Sequence, residues 1–221
     1  FLFIYINKME NLLTNLEELN VANVYDKIAS SFDRTRYKVW LSVSKFLDSI
    51  NPKINHTILE IGCGNGKNMI YNEKLNIIGC DISEPFINIC QEKGLNVFKS
   101  DQRKIEKPDN SFDYILSIAV LHHLEKVNDR QIAIDEIVRL LKIGGKAIIQ
   151  VWSNFKYSEQ INENNDFLVN WKNDDNILYS RYYHKFEKDE FRKLFIKDKI
   201  NILEFYEEKN NFICIIEKYK F

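Results

Sequence analysis

Three glycines at alternate positions are the residues of this chain best suited to holding a ligand. The residues from Thr57 to Ile61 predict a short buried strand, and Gly62, Gly64 and Gly66 come directly after it. A glycine carries no Cβ, so the backbone can turn sharply there and approach a ligand within contact distance. The pattern therefore predicts a nucleotide-like ligand at the end of this strand.

The spacing of the glycines argues against two phosphate-binding motifs. A dinucleotide-binding fingerprint would place its third glycine at position 67, which is Lys67. A phosphate loop would need glycine at position 61 and serine or threonine at position 68, where Ile61 and Asn68 stand. What remains is an acidic residue, Glu60, followed by the three alternate glycines.

Two further apolar runs each end in an aspartate. Asp81 lies about 20 residues beyond the first glycine, where an α/β nucleotide site places the acid that accepts the ribose hydroxyls. Asp101 ends the run that starts at Leu95. Either aspartate alone could equally cap the helix that follows it, since aspartate is a common N-cap. The glycine turn in register with both of them favours a ligand site.

Strand and helix patterns alternate from the glycine turn to about position 152. This alternation predicts an α/β fold with a parallel, doubly wound sheet, whose ligand crevice lies at the carboxyl ends of the strands. Two runs near the end, 200–205 and 212–219, predict a closing antiparallel hairpin. The polar, asparagine-rich stretch at 153–180 is too long for an idle connection and predicts a substrate-side insertion or a partly disordered loop.

Length and composition favour one globular domain. The chain has 221 residues, and we expect a domain at 21–221 preceded by a leader at 1–20, in which Met9 is a candidate start. A net charge of -1 provides no general attraction to nucleic acid or to anionic membranes, so such binding would need a local patch. The opening apolar residues are too few for a signal peptide or a membrane span. Four histidines and four unclustered cysteines provide no metal-ligand spacing, and we expect no metal site.

The acidic residue, the glycine turn and the later aspartates closely resemble the pattern of class I S-adenosylmethionine (SAM) methyltransferases. The resemblance implies a seven-stranded Rossmann-like sheet, with SAM as the cofactor. It places Asp81 at the ribose and Asp101 beside the adenine amino group. The residues expected to bind the cofactor are Glu60, Gly62, Gly64, Gly66, Asp81, Ile82, Asp101, Gln102 and Ile118.

Four segments resemble one methyltransferase family more closely than the others. They are Asn23–Phe32 with Thr35–Trp40, Gly62–Lys67, Ser117–Leu124 and Arg181–His184. Together they resemble the eukaryotic tRNA wobble-uridine carboxymethyl methyltransferases, which esterify 5-carboxymethyluridine in the anticodon. The resemblance covers about Val24 to Trp152 and resumes near Arg181, so contacts from the stretch between them are not implied.

This resemblance implies roles for cationic and aromatic side chains. We expect His122 and Arg36 to act at the methyl acceptor, with His122 as the substrate-facing member of the histidine pair. Cations orient a carboxylate or bind phosphates, and aromatic rings stack on unpaired bases. One of Tyr182 and Tyr183 is expected to lie in the core. The candidates for substrate binding are Arg34, Tyr37, Lys38, Trp152, Arg181, Tyr182 and Tyr183.

Two other functions stay open at the level of the sequence. A class I methyltransferase for a small molecule or lipid quinone would share the glycine turn but would have no use for a cationic entrance. A non-catalytic scaffold with this fold would have no reason to keep the ligand geometry of Glu60, the glycines and Asp81. The favoured family implies a tRNA anticodon loop as substrate and a cytoplasmic protein with a possible nuclear pool. It also implies a small zinc-binding activator protein, expected at the edge strand that ends near Asp101.

Overall fold

The computed structural model describes residues 14–51, 54–154, 158–172 and 176–220. In these residues the chain forms ten strands. They are β1 (Ile58–Ile61), β2 (Ile77–Asp81), β3 (Val97–Lys99), β4 (Phe112–Ile118), β5 (Leu141–Trp152), β6 (Ser158–Gln160), β7 (Asp166–Lys172), β8 (Leu178–His184), β9 (Ile200–Glu208) and β10 (Asn211–Lys218).

Seven of these strands form one sheet in the order β3-β2-β1-β4-β5-β10-β9. The pairs from β3 to β5 are parallel, and β10 runs antiparallel to both β5 and β9. The predicted doubly wound sheet and its C-terminal hairpin are thus confirmed. The order reverses beside β1, so the carboxyl ends of β1 and β4 open a crevice there.

Helices cover both faces of this sheet. They are α1 (Asn15–Glu17), a π-helical turn (Glu18–Ala22), α2 (Asn23–Thr35), α3 (Leu41–Asp48), α4 (Glu84–Glu92), a 3₁₀ turn (Leu121–His123), α5 (Val127–Leu140) and α6 (Lys188–Lys193). One face packs on α5 and α6 through residues such as Ile134, Ile137 and Phe191. The other packs on α3 and α4 through Val43, Leu47 and Cys90.

Strands β6, β7 and β8 form a second, antiparallel sheet that the sequence did not predict. It occupies most of the stretch expected to be an insertion or a partly disordered loop, so the disordered alternative is wrong for residues 158–172 and 176–180. The sheet packs against α2, where Trp171 joins Val24 and Ile28 in a small core. Residues 155–157 and 173–175 lie outside the described residues.

The predicted leader divides at Thr14. Residues 1–13, with Met9, lie outside the described residues. From Thr14 onward the chain is helical, and Glu17 and Val21 are buried against the domain. Thr14 caps this helix by accepting the Glu17 amide while the Glu17 side chain accepts the Thr14 amide, so the local sequence fixes where the helix begins.

Candidate cofactor and methyl-acceptor site

One cavity opens where the carboxyl ends of β1, β2 and β4 meet. The glycine turn, the aspartates and two residues of β8 contribute to its walls. The predicted site residues that line it are Arg36, Glu60, Gly62, Gly64, Asp81, Ile82, Asp101, Gln102, Ile118, Trp152, Arg181 and Tyr183. The fold therefore brings together most of the residues predicted to bind the cofactor and some of those predicted to bind the substrate.

Gly62 and Gly64 explain why the turn after β1 needs glycine. Both have positive φ angles, +65° and +52°, which L side chains rarely adopt. A Cβ on Gly62 would lie 2.3 Å from Cγ2 of Val120, so the strand end has no room for a side chain. A Cβ on Gly64 would meet nothing within 4 Å and would point into open space. Gly66 has the same backbone form, but it packs on Leu95 rather than lining the cavity.

The Asp81 carboxylate holds the glycine turn in place. One carboxylate oxygen accepts the Gly64 amide at 2.8 Å, and the other accepts the Ser83 amide at 2.9 Å. Burial raises the pKa of Asp81, against these two hydrogen bonds. The side chain still lines the cavity, so it can accept ligand hydroxyls with its remaining lone pairs.

Glu60 is a buried carboxyl with one unused oxygen. The residue is only 1% exposed. Its Oε1 accepts from the side-chain amide of Asn68 at 2.6 Å, while its Oε2 has no hydrogen-bond partner. Burial raises the pKa of Glu60 to about 8. An unpartnered, buried acceptor at a cavity wall is costly unless a ligand cation or donor meets it.

Asp101 reaches the cavity as one member of a buried ion cluster. Arg103 donates to both oxygens of Asp101, at 2.9 and 2.6 Å, and also to Glu17 and Asp129. Glu17 further accepts the Glu125 amide at 2.9 Å. The cluster fixes the Asp101 carboxylate and holds the N-terminal helix, through Glu17, at the wall of the cavity. Neither Glu17 nor Arg103 carried a motif that would have identified it from the sequence.

The structure places His123 in the cavity wall, with His122 behind it. His122 is fully buried and does not line the cavity, and its Nδ1 accepts the Trp152 amide. Successive residues of the 3₁₀ turn point in directions about 120° apart, so only one of the pair can face the cavity. Contrary to the prediction, His122 does not face the cavity, and His123 is the member of the pair that lines it.

His123 is the end of a hydrogen-bonded chain with a fixed direction. Its Nδ1 lies 2.8 Å from the Tyr182 carbonyl, which can only accept, so Nδ1 carries the proton. Its Nε2 therefore accepts from the Tyr25 hydroxyl at 3.0 Å, and Tyr25 in turn accepts from Tyr183 at 3.1 Å. Burial lowers the pKa of His123 to about 3, so the ring stays neutral at physiological pH.

Arg181 is a buried cation held by aromatic rings. Its guanidinium carbon lies 5.1 Å from the Trp171 ring centroid, 5.2 Å from Tyr183 and 5.9 Å from Tyr25. We call these three rings the arginine cage. Arg181 is 5% exposed, and its Nε has no hydrogen-bond partner.

Arg36 approaches Trp171 as well. Its guanidinium carbon lies 4.8 Å from that ring, although the residue as a whole is exposed. Burial and then the charge of Arg181 lower the pKa of Arg36. Within the described residues Arg103 and Arg139 form ion pairs, whereas Arg36 and Arg181 form none.

The other predicted substrate residues divide between core and surface. Trp152 stacks on Tyr183 with ring centroids 5.0 Å apart, and both line the cavity. Tyr182 is fully buried outside the cavity and donates to Asp166 at 2.7 Å, so its predicted substrate contact is wrong and it is the core member of the tyrosine pair. The remaining three, Arg34, Tyr37 and Lys38, are exposed and do not line the cavity.

Trp171 and Tyr25, whose rings pack around Arg181, are residues that sequence reasoning missed. Tyr25 stands in the N-terminal segment that carries the family resemblance, so that segment was the available signal. Trp171 lies in the asparagine-rich stretch, where no pattern marked it. Among the described residues, no group of three or more histidine, cysteine, aspartate and glutamate side chains is arranged to hold a metal ion. No helix in those same residues is long and apolar enough to cross a membrane.

Comparison with known proteins agrees with this geometry. The family model described as a methyltransferase domain matches residues 59–149. A chain solved in complex with the Trm112 methyltransferase activator of Haloferax volcanii superposes with a TM-score of 0.65 at 14% identity, covering 89% of this chain and 98% of that one. At that identity the likeness concerns the fold.

Two curated relatives are more specific. The tRNA (carboxymethyluridine(34)-5-O)-methyltransferase of Schizosaccharomyces pombe is 37% identical over 90% of this chain and 96% of its own length. The enzyme of the same name from Arabidopsis thaliana is 42% identical over 71% of this chain, which spans only 37% of that longer protein. By its identity to the fission yeast enzyme over nearly the full length of both, the chain belongs to the tRNA (carboxymethyluridine(34)-5-O)-methyltransferase family of SAM-dependent methyltransferases.

Proposed function

We propose that this protein transfers a methyl group from SAM to the carboxylate of 5-carboxymethyluridine at the wobble position of tRNA, forming a methyl ester. The observation that carries the proposal is the content of one cavity. The glycine turn, Glu60 and Asp81 line it, and so does Arg181, which forms no ion pair and lies among aromatic rings. The names of the relatives supply the RNA substrate.

The residues around the glycine turn fit the cofactor. The unpartnered Oε2 of Glu60 suits the ammonium group of an amino acid, and Asp81 suits ribose hydroxyls. The open space above Gly64 leaves room for a ligand against the backbone. When bound there, SAM supplies a methyl group on a positively charged sulfur.

Methyl transfer to this acceptor needs no general base. A carboxymethyl group has a pKa near the carboxyl reference of about 4, so it is already anionic at neutral pH. His123 is neutral, with a pKa of about 3, and its Nε2 is engaged by Tyr25. These residues therefore position the acceptor, and holding the reacting atoms in line is where such a site accelerates the reaction.

The direct test is methylation of a defined RNA. An anticodon stem-loop carrying 5-carboxymethyluridine should gain one methyl group in the presence of SAM, as an ester that mild alkali removes. The same stem-loop with unmodified uridine is the control. Methyl transfer to small-molecule or quinone acceptors, with none to the modified RNA, would contradict the proposal. We propose a cytoplasmic location with a nuclear pool, because the proposed substrate is a tRNA.

We expect cofactor binding to release a proton from Glu60. The free carboxyl has a pKa of about 8 and is mostly protonated at pH 7. An ammonium group against Oε2 favours the ionised form and lowers that pKa, so protons leave on binding at pH 7. At pH 9.5 the carboxyl is already ionised and the free amine, with a pKa of about 8, is mostly neutral, so binding should take up protons instead of releasing them. Titration calorimetry in buffers of different ionisation enthalpy measures this release.

Glu60→Gln provides the control for proton release. It keeps the shape and the Asn68 contact but cannot titrate, so its binding enthalpy should not depend on the buffer. A buffer-independent enthalpy for the unsubstituted protein at pH 7 would contradict the assigned role of Glu60.

We also propose that a small zinc-binding activator protein pairs with β3. This strand is one edge of the seven-stranded sheet, and no helix follows it before β4. The Asn96 carbonyl and the Ser100 amide bond inward to β2, so the Val97 and Lys99 amides point outward by alternation. An exposed row of this kind is suited to strand addition. One structural neighbour of this chain was solved in complex with the Trm112 methyltransferase activator of Haloferax volcanii.

Lys99→Pro should weaken activator binding while the fold stays intact. Proline removes the outward amide and leaves the inward hydrogen bonds of β3, and edge strands tolerate it. Co-purification with the activator from the same organism measures the loss. Lys99→Ala, which keeps the amide, should bind normally. Equal capture by both variants would place the activator elsewhere.

A further inference from the structure

The arginine cage holds a positive charge without neutralising it. Arg103 shows the usual alternative in this protein, since its guanidinium is occupied by Asp101, Glu17 and Asp129. Arg181 is buried to a similar degree but has three ring faces in place of carboxylates. Ring faces stabilise a cation in a dry environment. They leave its full charge available to an incoming anion.

Two details aim this charge at the cavity. Arg181 lines the cavity wall, and its closest hydrogen-bond contact is a marginal one, from Nη1 to the Tyr25 hydroxyl at 3.5 Å. The Tyr25 hydroxyl donates to His123 and therefore accepts from Arg181, and at 3.5 Å it engages only one of the five donors of the guanidinium. The Nε of Arg181 is a further donor without a hydrogen-bond partner in the protein, on a residue that is 5% exposed, and an anion bound in the cavity would satisfy it.

We propose that Arg181 recognises the negative charge of the methyl acceptor, so that it binds the carboxylate and releases the neutral ester. This inference rests on the proposed function. In the reaction a carboxylate oxygen forms a bond to the methyl carbon as the bond from that carbon to sulfur breaks. The electron pair stays on sulfur, so the carboxylate and the sulfonium lose their charges together and no proton moves. The product therefore lacks the feature that held the substrate.

A carboxylate at this site could belong to the acceptor or to the amino-acid part of the cofactor. The position of Arg181 favours the acceptor. It lies on β8 close to Tyr183, which stacks on Trp152. The residue that contacts the glycine turn is Arg36, whose backbone carbonyl accepts from the side-chain amide of Asn65 at 2.9 Å. We therefore assign Arg181 to the acceptor.

The test compares the affinities of three anticodon stem-loops, which carry the carboxymethyl group, its methyl ester and its neutral amide. Measured by fluorescence anisotropy with saturating S-adenosylhomocysteine, which cannot donate a methyl group, the acid should bind at least about tenfold more tightly than the ester or the amide. The amide has nearly the shape of the acid, so this comparison isolates the charge. Equal affinities for all three would overturn the proposal without any variant being made.

Arg181→Met should remove this preference and leave S-adenosylhomocysteine affinity unchanged. Arg192→Met is the matched control, since Arg192 also lies over an aromatic ring, 5.3 Å from Phe205, but outside the cavity. A preserved preference in Arg181→Met, or lost cofactor affinity with the preference intact, would overturn the proposal. If Arg181→Met does not fold, Arg181→Lys keeps the charge and should retain part of the preference.

These outcomes are separate from those of the proposed function. Methylation of the carboxymethyl stem-loop tests the reaction, whereas the binding preference tests how the acceptor is recognised. An enzyme that methylates the stem-loop but binds acid and ester equally would keep its function and lose this mechanism of recognition.

Discussion

Replacing Asp81 by alanine should reduce SAM affinity by roughly a hundredfold or more, the largest binding effect that we expect. The ribose hydroxyls lose a charge-assisted acceptor, and hydrogen bonds to charged groups contribute about 1.5 to 3 kcal/mol each. The Gly64 amide loses its acceptor at the same time, so the glycine turn loses its anchor. Titration calorimetry on the purified variant measures the affinity.

Asp113→Ala is the matched control for Asp81→Ala. Asp113 lies on β4 of the same sheet, where it accepts from Thr57 and Lys142 away from the cavity. Its loss should lower stability without changing SAM affinity. A folded Asp81→Ala protein with unchanged affinity would refute the ribose assignment.

Gly64→Val should abolish methyl transfer in a protein that still folds. The new side chain would enter the open space of the cavity, where no protein atom lies within 4 Å of the Cβ position. It would exclude a ligand from contact with the backbone, and the φ angle of +52° adds strain for a β-branched residue. Cofactor binding and turnover should both fall below detection, while circular dichroism stays near that of the unsubstituted protein.

Gly144→Val separates strain from obstruction. Gly144 has a φ of +79° and equally open space at its Cβ position, but it does not line the cavity. The two variants therefore carry the same kind of backbone strain, and only the one at Gly64 should lose cofactor binding. Retained turnover in Gly64→Val would place the cofactor elsewhere.

The convergence of the residues expected to bind the cofactor could be predicted because their signals are local. These residues lie at or just after the ends of strands, and a parallel sheet brings those ends to one edge whatever the details of packing. Glu60, Gly64 and Asp81 thus follow from strand patterns and short spacings. Their assigned roles toward SAM remain predictions, which the experiments above address.

The acceptor half could not be predicted to the same depth because it depends on contacts between distant segments. Tyr25 meets His123 and Tyr183 across 98 and 158 residues of sequence, and no local pattern encodes that meeting. The choice between His122 and His123 depended on a single 3₁₀ turn. Trp171 was hidden because its strand is short and mostly polar, so tertiary packing overrides its weak local signal.

Strand β8 assigns its side chains by parity. Arg181 and Tyr183 face the cavity, while Tyr182 and His184 turn the other way and meet Asp166 of β7. Inserting or deleting one residue in β8 ahead of Arg181 would exchange the two sets, because the side-chain period of a strand is two. Arg181 would then lie in the core, and His184 would face the cavity. The chemistry of the proposed acceptor site therefore depends on the number of residues in β8. A one-residue insertion or deletion there would change all of these side chains at once, whereas a substitution changes one.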